Sequence, residues 1–300
     1  MERYSVHLKL LGMAVLWGAS WPMGRMLGQS LPPLTGGAVR FVLASVLLLG
    51  WLFARSRFAT LAALSARQWL GLAVAASVGV CGYAVFFMLG LQAMPAGKAA
   101  VVVAVNPVLT LLLAAWLFGE RLNAKILAGM LLAVSGAIVA VTQGQPLAVL
   151  SGGIKEGEWL IFGCVVCWAA YTLIGRAVLR GIDALTVTAA TSFIGALMLS
   201  VVALWTDGLP FEAMAAMDAR GWTALAWLVI GATVLAYAWY FEGVKTLGAG
   251  SAAAYITLVP IFGMLSSAWV LGEPLHISLI AGCAAAVGGM TLMRYGQKAV

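Results

Sequence analysis

Apolar residues in this chain fall in long unbroken runs, and polar residues collect in the gaps between them. Ten such runs are predicted as helices, with cores at 8–27, 34–54, 69–92, 97–118, 123–142, 157–176, 184–205, 221–242, 250–271 and 276–294. A helix needs roughly 20 apolar residues to cross the hydrocarbon core of a bilayer, so each run is span-length. The stretch 144–156, GQPLAVLSGGIKE, carries Gly, Pro and Ser without helical periodicity and is predicted as a linker. It separates a first unit, 1–143, from a second, 157–300.

The two units repeat one another. AGKAAVVVAVNPVLTLLLAAWLFGERL, from Ala96 to Leu122, returns as AGSAAAYITLVPIFGMLSSAWVLGEPL, from Ala249 to Leu275. At a constant offset Pro107 falls on Pro260, Trp116 on Trp269, Gly119 on Gly272 and Glu120 on Glu273. From Ala96 to Gly136 about 16 of 41 positions are identical, too many for two apolar segments matched by composition alone. Duplicated hydrophobic halves are a signature of transporters.

Composition settles the solvent. With 63% hydrophobic residues, 9% charged residues and a mean hydropathy of +1.04, the chain cannot present a polar surface to water as a soluble globule. The net charge of +7 comes from Lys and Arg spaced singly between apolar runs, which excludes a nucleic-acid patch. Those residues read instead as a topology signal. With the N-terminus inside, one side holds Arg3, Lys9, Arg55, Arg57, Arg67, Arg121, Lys125, Arg176, Arg180, Lys245, Arg294 and Lys298. The other side keeps only Arg25, Arg40, Lys98, Lys155 and Arg220, which predicts cytoplasmic termini. Five spans per half then turn the second half upside down relative to the first. No cleavage-site pattern follows the first apolar run, which is read as an uncleaved helix.

Chemistry-bearing residues are few. The four cysteines, including Cys164-x-x-Cys167, sit inside predicted spans and read as apolar filler, with no metal site and no cofactor expected. Pro107 and Pro260 each remove an amide donor inside a span and clash with the carbonyls of Val103 and Ile256, so both helices should kink and serve as hinge or gate. Trp17 with Trp21, and Tyr83 with Phe87, share helix faces. Trp168, Tyr171, Tyr237, Tyr240 and Tyr255 repeat the theme in the second half, giving a predicted substrate surface. Asn106, beside the first kink, is the best polar contact, with an interhelical hydrogen bond as its alternative. Arg40 either snorkels outward or meets an anionic group. Glu120 and Glu273 read as caps of the helices that follow them, and Glu242 as the partner of Lys245.

No Asp, Glu or His lies near the middle of a predicted span. That disfavours proton-for-cation exchange, and the shortage of buried cations disfavours sugar phosphates. A neutral or zwitterionic solute remains. The Gly18-Ala19-Ser20 phrase lacks a His to act as base, so a membrane-embedded enzyme is disfavoured and no catalytic residue is assigned.

VLWGASWPMGR, LTGGAVRFVLASVLLL, MPAGKAA, Asn106-Pro107, LFGERL and the Gly-rich fifth span together resemble the drug/metabolite transporter superfamily of EamA type, across nearly the whole chain. The resemblance implies an all-α integral membrane fold of ten transmembrane helices in two inverted five-helix repeats, exporting small metabolites through a central cavity. Within that superfamily the chain looks most like the exporters of aromatic and neutral amino acids. One departure stands out: Thr191-Ser192 occupy the second-half positions of Arg40-Phe41. The resulting expectation is an exporter in the bacterial inner membrane, monomer or homodimer. It moves amino acids with apolar or aromatic side chains by alternating access, as a uniport. A multidrug or quaternary-amine exporter and a channel remain open at this point.

Overall fold

A computed structural model describes residues 2–55, 58–119, 122–145, 154–178, 181–247, 252 and 255–297. Among them the chain is helical throughout, with no strand. Eight helices are long and apolar enough to cross a membrane: α2 (Pro33–Ala54), α3 (Ala66–Ala93), α4 (Ala96–Phe118), α5 (Ala124–Val141), α6 (Glu156–Val178), α7 (Ala184–Thr206), α8 (Ala219–Leu247) and α10 (Ile277–Gln297). Two further apolar stretches complete the order. The first is α1a (Glu2–Gly18) with α1b (Ser20–Ser30), interrupted only at Ala19, and the other is the shorter α9 (Tyr255–Leu271). Glu120 and most of the predicted linker lie outside the described residues.

Helix starts follow their local chemistry. The Asn123 side chain accepts from the amide of Ile126 at 2.9 Å, and that of Asp218 from Gly221 at 2.8 Å. Ser65 and Gln68 form a reciprocal capping box. The ends of α4 and α9 match as well: Gly119 and Gly272, equivalent in the repeat, take left-handed φ of 69° and 66°. Only glycine does this without strain.

Small residues set the helix crossings. In α5 and α10 a Cβ on Gly136 would lie 2.5 Å from the Gly282 carbonyl oxygen, and one on Gly289 2.4 Å from the Ala133 amide nitrogen. The stripes of these two helices therefore close on each other within one chain. Gly18 meets Phe262 and Gly263 of α9 in the same way, and a Cβ on Gly263 would strike Ala100 of α4 at 2.5 Å. The Gly-Ala-Ser phrase of the first helix is thus a packing surface. Large apolar side chains point outward instead. Trp116 and Trp269 are 80% and 88% exposed, as lipid-facing residues are.

Several predicted polar partnerships are corrected. Glu242 pairs with Lys9 of α1a, at 2.7 and 2.9 Å, rather than with Lys245 one turn along its own helix. Packing of α8 against α1a brings the two side chains together, and sequence spacing cannot show that. Glu273 caps no helix that follows it. Its carboxylate accepts from the amides of Ala96 and Gly97, at 2.8 and 2.9 Å, at the N-terminus of α4, and lies 3.4 Å from Arg25 of α1b. Asp207 likewise accepts from the Thr35 amide and hydroxyl, at 2.9 and 3.0 Å, at the start of α2. Acids of the second half thus cap helices of the first, where the backbone amides and helix dipole favour negative charge.

Candidate functional site

Four irregular helical segments shape the centre of the molecule. In α4 a 3-10 turn at Val103–Val105 precedes Asn106-Pro107, and in α9 one at Tyr255–Leu258 precedes Val259-Pro260. A 3-10 turn bonds three residues back, so the carbonyl four residues behind each proline is spared its clash. The sequence pointed to both joints. It gave no comparable warning of two widened, π-helical segments at Ser77–Gly82 in α3 and Trp227–Leu235 in α8. Hydropathy is blind to such a turn, and only Gly79, Gly82 and Gly231 hint at it.

The widened turns free backbone groups that side chains then use. The Trp17 indole donates to the Ala232 carbonyl at 2.9 Å, and the Thr233 hydroxyl donates to the Leu228 carbonyl at 2.8 Å. A Cβ on Gly79 would lie 2.2 Å from the Tyr171 ring, so the glycine makes room for that ring.

Between these segments lies a cavity of about 420 Å³. Its lining includes Trp17, Trp21, Tyr83, Phe87, Asn106, Trp168, Tyr171 and Tyr237, together with Pro107 and Pro260. Two other aromatics singled out from the sequence lie elsewhere. Tyr240 packs beside Trp17, ring centroids 5.6 Å apart, without joining the lining, and the Tyr255 hydroxyl bonds His7 Nδ1 at 2.7 Å. The aromatic wall is continuous: Trp21 to Phe87 is 5.0 Å, Phe87 to Tyr83 6.0 Å, Tyr83 to Trp168 6.1 Å and Trp168 to Tyr171 6.2 Å between centroids. Pairs at these separations hold one another in fixed orientations.

Polar groups on the wall were harder to foresee. Arg40 lines the cavity and does not reach toward lipid; its guanidinium carbon stands 4.9 Å from the Phe41 ring centroid and 5.8 Å from that of Phe87. Thr191 and Ser192, at the equivalent positions of α7, line it too. Spacing within α2 left Arg40 two faces to choose from, and packing against α3 chose. The lining contains no Asp, Glu, His or Cys, and no cluster of metal-ligating side chains occurs among the described residues. Cys164 and Cys167 are buried in the packing beside Tyr83, the Cys164 thiol 3.8 Å from the Tyr83 carbonyl oxygen.

From the middle of the molecule the cavity runs to the last turn of α10, at Arg294 and Gln297. At the N-terminus of α4, outside that lining, Glu273 ties α9 to α4 and α1b, and the Arg25 guanidinium donates to the Met94 carbonyl at 2.9 Å.

Comparison with known proteins agrees with this architecture. The chain is 27% identical over 291 residues to the uncharacterized transporter YyaM of Bacillus subtilis, covering 97% of this chain and 93% of that one. It is 26% identical over 306 residues to a protein of Salmonella typhimurium named "Probable amino-acid metabolite efflux pump", covering 99% and 97%. A crystal structure 22% identical in sequence superposes with a TM-score of 0.66 over 99% of both chains, which shows a shared fold. The pattern of the EamA-like transporter family matches twice, at residues 5–142 and 155–295, once in each half of the duplication. With eight span-length apolar helices and both halves matched, the chain is a multi-pass membrane protein that belongs to the EamA-like transporter family.

Proposed function

We propose that this transporter exports small neutral or zwitterionic metabolites, foremost amino acids with apolar or aromatic side chains, across the bacterial inner membrane. The observation that carries the reading is the cavity itself: about 420 Å³, walled by a chain of contacting aromatics together with hydroxyl, amide and guanidinium groups, and with no carboxylate among its described lining residues. That volume suits one solute of amino-acid size, and Tyr and Trp enclose an apolar body while offering a polar handle. The name of the Salmonella relative points the same way. A quaternary-amine substrate is disfavoured, because the Arg40 guanidinium on the wall repels a cation.

In this reading α1a with α1b and α9 also span the membrane, giving ten helices in two inverted five-helix repeats with both termini cytoplasmic. The Lys and Arg asymmetry supports that orientation. The open end at Gln297 then faces the cytoplasm and the end tied by Glu273 faces outward, an arrangement that suits the inward-facing state of alternating access. The 3-10 joints before Pro107 and Pro260 are the bending points. Transport runs as a uniport, since the cavity lining holds no Asp, Glu or His to carry a proton.

Uptake into proteoliposomes tests the proposal. A panel of amino acids should show saturable flux with trans-stimulation, led by apolar and aromatic ones and indifferent to a pH gradient at fixed membrane potential. Flux without saturation would make the protein a channel. Concentrative uptake driven by pH would replace the uniport with a coupled carrier.

A further inference from the structure

One charge on the cavity wall has no acidic partner among the described residues. The guanidinium of Arg40 is flanked by the rings of Phe41 and Phe87, and its Nε is buried without a hydrogen-bond partner among the described residues. None of the ion pairs among those residues reaches it, and no Asp or Glu lines the cavity. Asn106, on the same lining, is only 9% exposed, and its Oδ1 is likewise buried without a partner. A cation and an amide oxygen held unpaired within a membrane-spanning bundle are costly, and such groups persist where a ligand or its hydration satisfies them.

The equivalent wall in the second half answers its own polar groups. The Thr191 hydroxyl, in the place of Arg40, donates to the Val187 carbonyl at 2.8 Å and needs no visitor. The unsatisfied polarity is therefore one-sided, a guanidinium donor on α2 and an amide acceptor on α4.

We propose that Arg40 forms a carboxylate-binding subsite, with Asn106 beside it on the same wall as an acceptor, so that the transported solute carries a carboxylate. A guanidinium presents parallel N–H donors that match the two oxygens of a carboxylate, and the two aromatic rings hold its plane in place. Asn106 Oδ1 accepts from an N–H donor of the same solute, such as an ammonium group. This subsite rests on the transport reading given above and narrows it. An apolar amine or amide would lose the Arg40 contact, and a free amino acid or aromatic acid would keep it.

Two probes of equal size isolate the carboxylate: 3-phenylpropionate and 3-phenylpropanamide. Binding to the purified full-length protein in lipid nanodiscs is read by calorimetry and by the fluorescence of the cavity tryptophans. The carboxylate should bind at least about tenfold more tightly than the amide. In Arg40→Gln the preference should vanish, and in Arg40→Lys part of it should survive. Equal binding of the two probes to the unaltered protein overturns the subsite, a comparison that needs no variant to fold. Failure of both to bind at millimolar concentration, or a tenfold preference persisting in a folded Arg40→Gln protein, overturns it too. Saturable flux of L-phenylalanine alongside equal probe binding would sink the subsite alone. A clear carboxylate preference without flux of any solute would sink the carrier reading alone.

Discussion

Helices α2 and α7 hold equivalent places in the two halves, and both present two consecutive residues to the same cavity. In α2 these are Arg40 and Phe41, and in α7 Thr191 and Ser192. The geometry was duplicated but the chemistry was not. The proline joints show the same split, since both helices bend but only α4 carries an amide, Asn106, where α9 has Val259. Features that make the helices cross and bend are kept in pairs, while features that touch the cavity contents have diverged. Under the proposed alternating access between inverted halves, both copies must keep the mechanics, but a solute has no twofold symmetry and needs a one-sided wall.

Damage to paired mechanics should cost most. Gly289→Leu forces a side chain onto the α5 backbone and should lower stability by roughly 3 kcal/mol, the upper range for overpacking. Gly288→Leu, whose Cβ would meet only Leu132 Cδ2 at 3.7 Å, should be close to neutral. Thermal unfolding in detergent compares the two, and equal losses would break the claim that the α5 and α10 contact is backbone-tight.

Glu273→Ala comes next. It leaves the Ala96 and Gly97 amides without their charged acceptor and should cost about 2 kcal/mol. Removing the 3.4 Å ion pair together with the hydrogen bond to the Met94 carbonyl, by Arg25→Ala, should cost about half as much or less. If Arg25→Ala proves the worse of the two, the ion pair rather than the helix cap holds that end together.

The two joints provide a test of kinetic symmetry. Pro107→Ala and Pro260→Ala should each slow flux into proteoliposomes by about tenfold with little change in folding yield, since each helix regains a hydrogen bond as it straightens. A double replacement that transports at the normal rate would reduce the joints to packing. The smallest effect belongs to Lys9→Ala. Its pair with Glu242 is 35% and 42% exposed, so screening should hold the loss below about 0.5 kcal/mol by chemical denaturation.

Much of this was readable in the chain, because bilayer thickness, proline stereochemistry and duplication all write themselves into local pattern. Run lengths located the helices, the matched prolines located the joints, and most of the aromatics chosen from single-helix faces came to one wall. What only the tertiary structure decided were relations between distant segments. Lys9 rather than Lys245 meets Glu242, and Glu273 caps a helix of the other half. Tyr240 and Tyr255 contact Trp17 and His7 without joining the lining, while Arg40 joins it. Each of these depends on which face of a nearly uniformly apolar helix is turned inward. Hydropathy cannot specify that rotation, because lipid and protein interior are equally apolar; backbone-close glycine contacts and widened helical turns fix it instead.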